Sequence, residues 1–222
     1  MSSLESFQEL KRYVRFLLVS EKDAKKLVII KFNKIDFRLA WFKINFPNAL
    51  IVNLRRNPRD IYASYIGVYE RAKAKKIDPL SENLGDLLYL DNYVNWFGSI
   101  GSYKFTKDDL NNYQKIYLIN QLSNLWADKF ADIVISYESL VENPVDILSK
   151  IVAHIPNFTL NFAEEIIPPR KDRVNIWDNY HSEDWFEECE QKCDRILKQI
   201  LSRQQAQDIE IDNKFLANTG LK

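Results

Sequence analysis

Residues 49–54 form a short apolar run, Ala-Leu-Ile-Val-Asn-Leu, that leads straight into Arg55 and Arg56 and then into Asn57 and Pro58. A run of that length bounded by polar punctuation reads as a buried strand. Asn57 suits the N-cap of a following helix, Pro58 its first position, and Asp60 its first turn, where the helix dipole favours an acid. A strand, a basic loop and a helix N-terminus in succession make a place for an anion, most simply a phosphate. The competing reading is an ordinary strand-to-helix turn whose arginines are solvated.

The flanking sequence sets that turn in an α/β context. Apolar positions at Leu4, Phe7, Leu10, Val14, Leu17 and Leu18 have helical spacing, and residues 27–31 form a β-branched run that reads as a strand. Residues 37–46 read as a helix stopped before Pro47, and a second helix runs from Pro58 to about Lys76. This alternation predicts a parallel sheet flanked by helices. Residues 77–129 break the rhythm and read as a helical insertion, with Tyr89, Tyr93, Trp96, Phe97 and Tyr103 followed by a long helix over 108–129. An aromatic stripe at helical spacing is more often core than a ligand box. A third strand is expected at 132–136, a helix from Pro144 through His154, and a helix capped by Ser182 through Leu201. One α/β domain over 1–203 with a polar tail at 204–222, partly disordered or loosely docked, is the expected organisation.

Several function classes fall away on composition. Thirty-one basic residues balance 31 acidic ones, so non-specific nucleic-acid binding lacks its usual basic excess. No apolar run approaches the length of a membrane span. Cys189 and Cys193, the only cysteines, lie four apart on a probable helix and read as packing thiols in a reducing compartment, with no metal-site spacing; a cytoplasmic location is expected. The five glycines all lie at or after residue 67, so the first 66 residues contain no glycine-rich phosphate loop, and an ATP- or GTP-using enzyme built on such a loop is not expected.

The stretch Arg56-Asn57-Pro58-Arg59-Asp60, followed by Ser64, resembles the 3′-phosphate signature of sulfotransferases that use 3′-phosphoadenosine-5′-phosphosulfate (PAPS). Three further stretches resemble that family in the same order. Residues 46–54 resemble the helix end and strand before the signature, and residues 135–144 (Ile-Ser-Tyr-Glu-Ser-Leu-Val-Glu-Asn-Pro) resemble the Tyr-Glu segment after a late strand. Residues 170–180, which begin Arg-Lys-Asp-Arg and contain Trp177, are similar to the C-terminal loop that closes over the nucleotide. The resemblance covers roughly residues 27–200, through one fairly specific motif and three softer ones.

The resemblance implies a P-loop-kinase-like sulfotransferase fold, here without the first strand and the 5′-phosphosulfate loop, because residues 1–26 contain no such segment. It implies PAPS as sulfuryl donor, a small-molecule or glycan acceptor bearing a hydroxyl or amine, and no metal. Arg56 and Ser64 would hold the 3′-phosphate, Arg170 and Lys171 would cover it, and Trp177 would stack on the adenine or anchor its loop. Lys31 would lie near the transferred group, and Asn33, where many family members carry a histidine, would orient the acceptor. The aromatic segment 89–103 would face the acceptor. Asp172 replaces the family's glycine and adds repulsion toward a phosphate. Of the two histidines, His154 suits a helix C-terminus, and His181 is a weaker contact candidate. The alternative is a non-catalytic relative that recognises a 3′-phosphonucleotide or a protein partner without transfer.

Overall fold

The computed structural model describes residues 4–20, 27–32, 36–74, 79–100, 104–156, 158 and 169–218. The chain forms two compact units, residues 50–201 in one and residues 1–49 with 202–222 in the other. Among the described residues it is mostly helical with a small two-stranded parallel sheet, a loose α/β arrangement.

The first unit in sequence holds α1 (Leu4–Ser20), a 3-10 turn at Asp36–Arg38 and α2 (Leu39–Asn45). Phe32, Trp41, Phe42 and Phe46 pack together, with Phe42 and Phe46 centroids 4.9 Å apart and Phe32 edge-on to Phe42 at 5.2 Å. Residues 27–31 do not form the expected strand: residues 27–32 carry no regular secondary structure, and Ile29 is 83% exposed. A β-branched run becomes a strand only when its backbone donors and acceptors find a neighbouring ladder.

In residues 50–201 the sheet has two strands, β1 (Val52–Arg55) and β2 (Ile133–Ser136), paired in parallel with Val52 opposite Ile133 and Arg55 opposite Ser136. The first strand begins three residues later than the apolar run. Its start is fixed by the partner: Asp132 and Ile133 donate from their backbone N–H groups to the Ile51 carbonyl, and the Asp132 carboxylate accepts from Ile51 N–H at 2.9 Å. Nor is this strand buried, since Val52 is 37% and Leu54 51% exposed.

The helices follow from local capping. Helix α3 (Pro58–Ala74) starts as the Asn57 side chain accepts from Arg59 N–H at 2.9 Å and the Asn57 carbonyl from Ile61 N–H. Helix α4 (Pro79–Ile100) and helix α5 (Asn112–Phe130) fill the stretch read as a helical insertion, the second opened by a reciprocal Asn111–Gln114 capping box. A Cβ on Gly98 would meet the Phe105 carbonyl oxygen at 1.8 Å, so only glycine fits where the chain returns against α4. Ser136 ends β2 and at once caps α6 (Tyr137–Glu142), a helix the sequence reading misses, by accepting from Ser139 N–H at 3.0 Å. Helix α7 (Pro144–Val152) has proline at its first position. Helix α8 extends from Glu183 to Asn218, well past Leu201 and through most of the stretch read as a loose tail.

Where α3, α5 and α8 meet, Tyr113, Phe186 and Cys189 form a buried cluster against Tyr62, Tyr117, Trp177 and Trp185. Both cysteines are free, and burial pushes the Cys193 thiol up to about 12, which leaves it protonated and inert as a packing group.

Candidate functional site

Parallel register brings the ends of β1 and β2 level, so Arg56 and Tyr137 leave the sheet side by side at its carboxyl edge, the edge at which open α/β sheets bind ligands. The Arg56 guanidinium lies over the Tyr137 ring, 5.0 Å from its centroid. Its Nη1 donates to Ser64 Oγ at 3.1 Å, and its Nη2 donates to the Arg173 carbonyl at 2.5 Å. Its Nε is buried and has no partner. Eight residues of chain, a turn plus nearly two helical turns, thus place a guanidinium and a hydroxyl within reach of one anion.

The loop at 170–180 is tied to the same place. Tyr137 donates its hydroxyl to the Arg170 carbonyl at 3.3 Å. The Asp60 carboxylate is fully buried and accepts from Asn175 N–H at 2.9 Å and from Ile176 N–H at 2.8 Å. Glu138 accepts from Asn57 N–H at 3.0 Å, which joins α6 to the start of α3. Three of the stretches singled out in sequence, 55–64, 135–144 and 170–180, therefore converge through named bonds.

Neighbouring charges serve the frame. Arg55 turns to α5, donating to the Asn124 carbonyl at 2.9 Å and to the Asp128 carboxylate. Arg59 forms two parallel bonds to Glu190, at 2.7 and 2.9 Å, and lies over the Trp177 and Phe186 rings at 4.9 and 5.3 Å. Tyr113 donates to the same Glu190 carboxylate. Burial, reinforced by that acidic partner, raises the Tyr113 hydroxyl far above its ordinary value. For Arg59, the bond to Glu190 raises the guanidinium further despite burial.

The other candidates fall differently. Arg170 is exposed and binds Asp172 through Nε at 3.0 Å and Nη2 at 2.5 Å, holding that carboxyl below its usual range. The anticipated repulsion from Asp172 is thus neutralised within the loop, but Arg170 meets the Arg56 cluster only through its carbonyl. Lys171 is exposed. Trp177 packs edge-on to Phe186 at 5.3 Å and carries Arg59 on its face, an anchor in the core whose buried Nε1 has no partner. Lys31 is exposed in the first unit, and Asn33 lies outside the described residues. Tyr89, Tyr93, Trp96 and Phe97 pack on one another along α4. His154 Nδ1 lies 2.8 Å from the Lys150 carbonyl at the end of α7, and His181 stacks on Trp185 at 3.8 Å.

The reading from sequence missed Asp60 as a loop holder, assigning it only to the helix dipole, and missed Tyr137 as the platform for Arg56. A first-turn acid three residues after an N-cap has two readings, and only the returning loop decides between them. Among the described residues, no cluster of acidic, histidine or cysteine side chains is placed to hold a metal ion, and no helix is long and apolar enough to cross a membrane. No protein-family model, curated protein or solved structure matches this chain.

Proposed function

We propose that this chain is a sulfotransferase-type protein that binds the 3′-phosphate of PAPS at Arg56 and Ser64 and passes the sulfuryl group to a hydroxyl or amine acceptor. The observation that carries the reading is the 3.1 Å separation of Arg56 Nη1 and Ser64 Oγ at the carboxyl end of β1, beside the loop that holds Arg170, Lys171 and Trp177. A guanidinium and a hydroxyl at that spacing supply charge-assisted bonds to two oxygens of one phosphate.

In the transfer, the acceptor oxygen or nitrogen attacks sulfur, a new bond to sulfur forms, and the bond from sulfur to the bridging 5′-phosphate oxygen breaks. The acceptor's proton passes to a base or to solvent, and 3′-phosphoadenosine 5′-phosphate departs.

Binding of a 3′-phosphonucleotide without transfer is the second reading. It is favoured by the make-up of the cluster among the described residues, where Arg56, Ser64, Tyr137, Arg170 and Arg173 hold and orient one another. Calorimetric titration with 3′-phosphoadenosine 5′-phosphate, paired with transfer from sulfur-labelled PAPS to mixed alcohol and amine acceptors, separates the two. Binding with label transfer supports the enzyme, binding alone supports the second reading, and absence of both removes the nucleotide from this site.

A further inference from the structure

We infer that Asp60 is the positioning residue of this site, fixing the loop at 170–177 on α3 before any ligand arrives. The inference rests on the nucleotide reading above for what the loop is for, but not for how it is held. Among the described residues, Asn175 is the one non-glycine residue with positive φ, at 58°. It directly precedes a right-handed 3-10 turn at Ile176–Asn179. A left-handed residue followed by a right-handed one aims successive backbone N–H groups into a single concavity that takes an anion. Here the anion is internal: Asp60 Oδ2 lies 2.9 Å from Asn175 N and Oδ1 2.8 Å from Ile176 N, with Asp60 fully buried. The unusual backbone at Asn175 thereby has a physical cause.

Asp60 and Ser64 are four residues apart and neighbours on one stripe of α3, so the root of the loop and the hydroxyl facing Arg56 share one rigid element. From that root the loop delivers the Arg173 carbonyl to Arg56 Nη2 and the Trp177 ring to the Arg59 guanidinium. Asp60 therefore acts on a bound nucleotide only through the loop. Asparagine has the same shape but offers one oxygen, and its NH2 would face a backbone N–H.

Asp60→Asn is tested by amide hydrogen exchange and by titration with 3′-phosphoadenosine 5′-phosphate, well below the melting temperature. Exchange at Asn175 and Ile176 should quicken by about tenfold or more, and nucleotide affinity should fall by about five- to tenfold. Arg56→Ala should lower affinity without changing exchange at those two amides. Asn175→Gly, which accepts positive φ freely, should keep both properties, whereas Asn175→Val should speed exchange at Ile176 without touching Asp60. Unchanged exchange in both Asp60→Asn and Asn175→Val overturns the inference, as does faster exchange in Asp60→Asn with unaltered affinity. If the unmodified protein binds no 3′-phosphonucleotide, the nucleotide reading fails, and the exchange rates alone decide whether Asp60 holds the loop.

Discussion

Residues 27–32 and 51–56 look alike in sequence, each a largely apolar run with a cationic side chain at or next to its end, yet they end in opposite states. The first contains Val28, Ile29 and Ile30 and has the better composition for a strand, but it forms none and leaves Ile29 83% exposed. The second includes Asn53 and Arg55 and is the one that pairs, in register with Ile133–Ser136. The difference lies in the partner. Strand propensity describes how a side chain fits a pleated, half-covered surface, and the ladder has to be supplied from elsewhere in the chain. The same difference decides the cations. Lys31 ends an unpaired run and stays exposed, whereas Arg56 ends a paired one and is met by a ring, a hydroxyl and a carbonyl.

The comparison is sharpened most by Arg59→Ala, which removes both bonds to Glu190 and leaves a largely buried carboxylate with Tyr113 as its remaining partner. A loss of about 2–4 kcal/mol in denaturant unfolding is expected. An effect below about 0.5 kcal/mol would mean that the frame around the paired arginines is no firmer than an ordinary surface.

A pH titration of stability follows next in size. Burial pushes the Glu190 carboxyl up, but the bonds from Arg59 and Tyr113 outweigh it and hold the group below the ordinary glutamate value. Its contribution is therefore fully present above that ordinary value and is lost as pH falls through the lowered one. Glu190→Gln should flatten the acid limb of the stability profile, and an unchanged limb would contradict this assignment. At the other end of the comparison, Ile29→Asp should change stability by less than about 0.5 kcal/mol. A loss above about 2 kcal/mol would show that residues 27–32 pack as a covered strand after all.

Local chemistry was readable wherever a single residue decides it. Asn57 and Pro58 open α3 and Ser182 precedes α8, while Arg56 and Ser64, expected to reach one anion, lie 3.1 Å apart. Sheet membership was readable in part: the runs at 49–54 and 132–136 pair in parallel as expected, whereas 27–31 stays unpaired, because pairing needs a partner far along the chain, 81 residues away in the bond from Ile51 N to Asp132. The site was legible to the same degree. Its arginine and serine lie within one stretch, while Tyr137, Arg173 and Asn175 reach it only through the fold. Asp60 and Arg59 stand in the open motif, yet their partners Asn175, Ile176 and Glu190 are more than a hundred residues further along.

The claim that Arg56 and Ser64 grip one phosphate is tested most directly by a double-mutant cycle in binding. Arg56→Ala, Ser64→Ala and the double variant would be titrated with 3′-phosphoadenosine 5′-phosphate and with adenosine 5′-phosphate. Arg56→Ala should weaken the first ligand by about ten- to a hundredfold and leave the second nearly unchanged. The two substitutions should couple by at least about 0.5–1 kcal/mol in binding of the first ligand only. Equal losses for both nucleotides, or strictly additive ones, would contradict a shared 3′-phosphate.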